Sequence, residues 1–229
     1  MNPILVALDV PTEEEALALA NDLEPVVGGF KIGLELLMGP GPRLVERLVE
    51  IGRPVFCDAK LHDIPHTVER AAAQIGKLGA RWVTVHASGG VDQLRAAVDG
   101  LANAGAATGV LAVTVLTSLD AAAVAEVGFA EPPGPQVARL AGVAARAGVE
   151  GLVCSAADLA DVGEAAPGLV RVTPGVRPRG VDRGDQRRVV TPEEALSAGA
   201  DLLVIGRPIT RADDPVAAAA AIAESLGVT

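Results

Sequence analysis

Short apolar runs recur along the chain, and each is followed by an amphipathic or Ala-rich stretch. Eight are legible, at 4–8, 29–32, 54–57, 82–86, 110–115, 151–154, 170–173 and 202–205. The runs are nearly continuous in apolar character, as expected of strands buried on both faces of a parallel sheet covered by helices. Gly79, Gly148 and Gly199 each stand shortly before one of these runs. A glycine there takes the left-handed conformation that ends a helix before the chain enters the next strand. Thr12 before Glu13-Glu14-Glu15, and Thr191 before Pro192-Glu193-Glu194, combine an N-cap with the acidic first turn that a helix dipole favours.

Eight βα units can close into a barrel or lie open in a doubly wound sheet, and periodicity alone does not choose. The polar residues just after the runs do. They are Asp9, Lys31, Asp58 with Lys60, His86, Thr117, Arg177 and Arg207. In a barrel the strand ends converge on one mouth and these residues share a site, whereas an open sheet strings them out in a row. The expected fold is α/β, a (β/α)8 TIM barrel, with residues 1–229 as a single domain.

Composition sharpens this picture. Half the residues are hydrophobic, yet three are Phe, one is Trp and none is Tyr, so the core must be built from Ala, Val, Leu and Ile. A formal net charge of −10 argues against nonspecific binding to nucleic acid or anionic membranes and favours a small-molecule partner. The N-terminal residues lack the basic region and apolar length of a signal peptide, and no stretch approaches a membrane span. Cys57 and Cys154 lie in apolar runs without a CxxC pair, which reads as reduced core thiols in a cytoplasmic protein.

The densest chemistry is Asp58-Ala59-Lys60-Leu61-His62-Asp63-Ile64-Pro65-His66-Thr67. In extended chain Asp58 and Lys60 point to the same side, so both project from one strand end, and Asp9 and Lys31 complete an alternating set of acids and bases. Ordinary rim ion pairs would look similar for any one pair, but four matched positions after three successive strands favour a site. His62 and His66 are spaced to face one metal ion on a helix, but a zinc site needs a third protein ligand and Pro65 disturbs the register between them. No metal ion is therefore expected at this pair. Gly175 and Gly206 follow the seventh and eighth runs, where barrels often bind phosphate through backbone N–H groups, and Arg177 and Arg207 add fixed positive charge.

Asp58-x-Lys60-x-x-Asp63-Ile64-Pro65-x-Thr67 resembles the signature of the orotidine 5'-phosphate decarboxylase family, and Asp9 and Lys31-x-Gly33 fall where that family places its first charged residues. The resemblance extends through Thr114-Val115-Leu116-Thr117-Ser118, Thr173-Pro174-Gly175-Val176-Arg177, Gly184-Asp185-Gln186-Arg187-Arg188 and Ile205-Gly206-Arg207. It implies cofactor-free conversion of orotidine 5'-phosphate (OMP) to UMP and CO2, in pyrimidine biosynthesis, with Lys60 as the acid held by Asp58 and Asp63. It further implies that Asp9 and Lys31 meet the ribose, Thr117 and Ser118 the pyrimidine, and Gln186, Gly206 and Arg207 the phosphate. Arg177 would lie nearby, and residues 176–188 would close as a lid. Asp63, Ile64 and Thr67 would enter the neighbouring subunit's site, making a homodimer with shared active sites. The competing readings are a metal-dependent sugar-phosphate decarboxylase or epimerase on the same barrel, and a catalytically silent nucleotide-binding barrel.

Overall fold

The computed structural model describes residues 2–178 and 190–228. Eight parallel strands, β1 (Ile4–Ala7), β2 (Gly29–Ile32), β3 (Val55–Leu61), β4 (Trp82–His86), β5 (Gly109–Val113), β6 (Gly151–Val153), β7 (Val170–Thr173) and β8 (Leu202–Ile205), pair in sequence order. β8 pairs with β1 to close the barrel. The helices are α1 (Glu13–Leu23), α2 (Leu34–Met38), α3 (Arg43–Glu50), α4 (Pro65–Lys77), α5 (Gly90–Asn103) and α6 (Ala121–Glu126), followed by α7 (Pro133–Ala147), α8 (Leu159–Ala165), α9 (Pro192–Ser197), α10 (Arg207–Thr210) and α11 (Pro215–Ser225). None is long and apolar enough to cross a membrane.

The helix ends form as the sequence dictates. Thr12 accepts from Glu15 N–H at 3.2 Å, and Thr191 and Glu194 make a reciprocal capping box. Gly79, Gly148 and Gly199 take φ of 81°, 75° and 103°, the left-handed turn between helix and strand.

Apolar residues divide into two cores. The larger lies between sheet and helices and includes Ile4, Phe30, Cys57, Val83 and Leu203. The smaller fills the barrel with Leu5, Ala7, Phe56, Trp82, Leu111, Val172, Leu202 and Val204. Successive strand residues alternate between the two, as strand geometry demands. Below the inner core, at the N-terminal ends of β4 and β6, Arg81 grips Glu150 with two hydrogen bonds of 2.8 and 2.5 Å. Trp82 Nε1 donates to the same carboxylate at 2.8 Å.

One strand departs from the expected pattern. The apolar run ends at Cys57, but β3 continues through the charged residues to Leu61. Its pairing with β4 runs Cys57 against Val83 and then Leu61 against Val85, four steps on one strand against two on the other. The surplus forms a bulge, and Lys60 within it has φ of 48°, the one positive value among the described non-glycine residues. The simple alternation that puts Asp58 and Lys60 on one side of an extended strand is therefore broken. A bulge brings their side chains together instead. Holding such a backbone costs about 1–3 kcal/mol and persists only where surrounding contacts over-determine it.

Candidate active site

The C-terminal strand ends carry a row of alternating charges. Lys31 Nζ lies 3.3 Å from Asp9 Oδ1 and 3.6 Å from Asp58 Oδ2. Lys60 Nζ lies 2.6 Å from Asp58 Oδ1. Each member comes from a strand end, and the first is aligned because Leu8 N–H still bonds Lys31 O at 2.9 Å beyond the end of β1. Gly33 keeps the row open, since a Cβ there would stand 3.2 Å from Lys31 Nζ and 3.5 Å from Asp9 Oδ1.

Burial grades along this row. The side chains of Lys31 and Asp58 are 11% and 12% exposed, that of Lys60 is 29% and that of Asp9 is 57%. Burial would by itself raise the Asp58 carboxyl. The charges of Lys31 and Lys60, with hydrogen bonds from Lys60 and Thr84, outweigh it and hold the group below its ordinary value. Asp58 is thus an anion shared by two ammonium groups. Two acids and two bases leave the row neutral.

Two cavities adjoin the row. One is largely apolar, walled by Phe56, Val113, Val115, Leu116, Val153, Cys154 and Pro174, with Lys31, Asp58, Lys60 and Thr117 at its polar edge. The other shares Lys31, Pro174 and Val204 with the first and is bounded by Asp9, Glu35, Gly175, Arg177, Gly206, Arg207 and Arg211. A flat ring suits the first and an anion the second. Val176 forms an isolated parallel bridge to Val190, and Arg177 N–H bonds Val190 O at 2.9 Å, which fixes Arg177 at the second cavity.

Of the residues singled out in the sequence, Asp9, Lys31, Asp58, Lys60, Thr117, Arg177, Gly206 and Arg207 meet around these two cavities. Ser118 is exposed in the turn after β5 and does not wall either one. Asp63, Ile64 and Thr67 stand exposed at the start of α4 and wall neither cavity, with Ile64 66% exposed. Gln186 and most of the 176–188 segment lie outside the described residues. His62 faces His86 with ring centroids 5.3 Å apart. Burial, then the charges of His62 and Lys60, hold the His86 imidazole below its ordinary pKa. Among the described residues no three His, Cys, Asp or Glu side chains are grouped as a metal ion would need.

Three contributors were not singled out by sequence. Glu35 and Arg211 enter the anion-facing cavity from the first turn of α2 and from just beyond α10. Thr84, fully buried, donates to Asp58 Oδ1 at 2.9 Å and accepts from Lys60 N–H at 2.8 Å. In the run Trp82-Val83-Thr84-Val85 a threonine reads simply as a good strand residue, so no signal separates it from its neighbours.

Known proteins resemble this chain in sequence and in fold. An orotidine 5'-phosphate decarboxylase of Anaeromyxobacter dehalogenans is 54% identical over 224 residues, covering 97% of each chain. One from Thermobifida fusca is 52% identical over 229 residues, covering 99% of this chain and 97% of that one. The crystal structure of orotidine 5'-phosphate decarboxylase from Lactobacillus acidophilus superposes with a TM-score of 0.88 at 35% identity, each chain fully covered. The model of the orotidine 5'-phosphate decarboxylase / HUMPS family matches residues 2–222, a span that takes in every strand of the barrel and the whole charged row, and this chain belongs to that family.

Proposed function

We propose that the chain converts orotidine 5'-phosphate to UMP and CO2, without a cofactor, and that Lys60 supplies the decisive charge and proton. The observation that carries this reading is the Asp9–Lys31–Asp58–Lys60 row set between an apolar cavity and an arginine-bearing one. The bond from C6 to the carboxylate breaks, CO2 leaves, and the electron pair stays on C6. No conjugated carbonyl is placed to absorb it. The Lys60 ammonium stabilises that charge and then delivers a proton to C6. Asp58 keeps Lys60 aimed.

The pyrimidine occupies the apolar cavity beside Thr117, and Ser118, the next residue in the turn, is assigned to the base edge on family resemblance. The ribose hydroxyls meet Asp9 and Lys31. The phosphate lies with Arg207, Arg177, Gln186 and the backbone at Gly206. Binding energy from the phosphate, remote from the ring, then contributes to the chemical step. The whole chain acts as one barrel domain, in the cytoplasm and in pyrimidine biosynthesis.

The exposure of Asp63, Ile64 and Thr67, outside both cavities of their own chain, supports a homodimer in which they complete the partner's site. Lys60→Ala and Asp63→Ala, each nearly inactive alone, then regain activity on subunit exchange, because a two-fold dimer concentrates both lesions in one site. Random pairing makes about half the dimers mixed with one intact site each, so recovery approaches roughly a quarter of wild type. Proven exchange without recovery would place both residues in one chain's site.

The experiment that tests the reaction is the absorbance change on OMP loss in excess EDTA. Undiminished turnover is expected. Activity lost to EDTA and restored by magnesium would move the chain to metal-dependent sugar-phosphate chemistry. UMP binding with no turnover would make it a nucleotide-binding barrel.

A further inference from the structure

Pairing between β3 and β4 leaves Asp58, Ala59 and Lys60 opposite a single residue, Thr84, since Cys57 meets Val83 and Leu61 meets Val85. That residue is fully buried. Its hydroxyl is spent at both ends, donating to Asp58 Oδ1 at 2.9 Å and accepting from Lys60 N–H at 2.8 Å. The two groups it joins belong to the two residues whose side chains meet at 2.6 Å. A hydroxyl inside a barrel is costly unless bonded, and here both bonds go to the bulge that carries the reacting lysine.

We propose that Thr84 is a positioning residue for the decarboxylation: its hydroxyl ties the backbone of Lys60 to the carboxylate of Asp58, so that ammonium and carboxylate are presented to the substrate as one rigid unit. This rests on the assignment of Lys60 as the proton donor. Lys60 has φ of 48°, a conformation a lysine does not hold by itself, and its N–H cannot follow an ordinary ladder where three residues face one. Thr84 supplies the missing acceptor. The same oxygen fixes the Asp58 oxygen that Lys60 grips, so backbone and side chain of the lysine are held from one point.

A residue that merely fills space needs the shape of threonine, whereas one that positions needs its hydroxyl. Valine keeps the shape and serine keeps the hydroxyl. Thr84→Ser is expected to retain kcat within about threefold of wild type. Thr84→Val is expected to lose at least about tenfold in kcat and to approach a hundredfold, the usual cost of misplacing a reacting group by about 1 Å. Both should bind UMP within about threefold of wild type, because Thr84 meets neither ring nor phosphate. Should Thr84→Val not fold, Thr84→Ala replaces it with the same expectation and no methyl forced against the carboxylate. Thr84→Val turning over within threefold of wild type, or Thr84→Ser falling as far as Thr84→Val, would overturn the proposal.

A wild-type protein that leaves OMP untouched would instead refute the assigned reaction. Amide hydrogen exchange then reads Thr84 independently of turnover. The Lys60 amide should exchange slowly in wild type and Thr84→Ser and at least about tenfold faster in Thr84→Val. Equal rates in all three would sink the positioning role.

Discussion

At the N-terminal mouth of the barrel, Glu150 is partly exposed and its carboxylate is held by neighbouring side chains. Two Arg81 nitrogens and Trp82 Nε1 bond its carboxylate, and the Arg81 guanidinium lies 4.6 Å from the centre of the Trp82 ring. At the C-terminal mouth, Asp58 is pulled between two lysines, Lys60 stands on an unfavourable backbone, and a cavity opens beside them. Both ends are acid–base clusters on strand ends. The first closes the inner core. The second keeps ammonium donors and a wall of apolar side chains turned toward empty space. Pairing alone therefore does not mark a site, nor does a neighbouring pocket, since Glu150 also borders one with Thr108 and Gly148; a strained backbone among several convergent charges does.

The contrast breaks most visibly at Lys60. Lys60→Ala should lower kcat by at least about 10²–10⁴-fold, the range that general acid catalysis alone spans, while UMP still binds. A variant keeping more than about a tenth of wild-type kcat would make the C-terminal row as structural as the N-terminal one. Arg207→Ala should raise KM for OMP by roughly ten- to a hundredfold, as for losing a charged hydrogen bond of about 1.5–3 kcal/mol, yet leave a phosphate-lacking substrate unaffected. Equal damage to both substrates would assign the guanidinium to the fold.

At the opposite mouth the effects should fall on stability. Glu150→Ala strands Trp82 Nε1 and Arg81, with an expected loss of about 1–2 kcal/mol and about 2–8 °C in Tm. Its kcat/KM should stay within twofold, and a larger kinetic loss would show that the two mouths are coupled.

The smallest effect is a pH slope. His86 has its pKa held below the ordinary 6.5, so between the two values the unfolded chain binds a proton that the native chain does not. Stability conferred by neutral His86 is therefore complete above the ordinary histidine value and declines as pH falls through the window beneath it. Melting curves from pH 7.5 to 5 should show Tm falling with acid, and His86→Gln should flatten the fall. An unchanged slope in the variant would remove His86 from the account.

Much of this was legible in the chain. Four strands, 29–32, 82–86, 170–173 and 202–205, run as the apolar pattern marks them, and the glycines at 79, 148 and 199 end helices as their spacing says. The charged row was legible too, since Asp9 and Asp58 directly follow apolar runs, Lys31 sits within one and Lys60 comes two residues after Asp58. The extension of β3 was not. Apolar patterning stops at Cys57, and what carries the strand onward is tertiary: pairing with Val85 and the Thr84 hydroxyl on Lys60 N–H. Thr84 itself is invisible in a row of strand formers. The places of Asp63, Ile64 and Thr67 rested on family resemblance, because a chain read alone does not reveal what a second copy would meet.

The two surplus residues of β3 bear on anyone who would engineer this barrel. Idealised backbones, with matched strand lengths and no positive φ outside glycine, are the ones that design favours for stability. Applied here, that rule would trim the register between Cys57 and Leu61 to two steps and straighten Lys60. The product would be a smoother barrel with its lysine aimed elsewhere. A thermostabilising redesign should accept the irregularity at β3 as a fixed constraint and seek its gains at the other mouth.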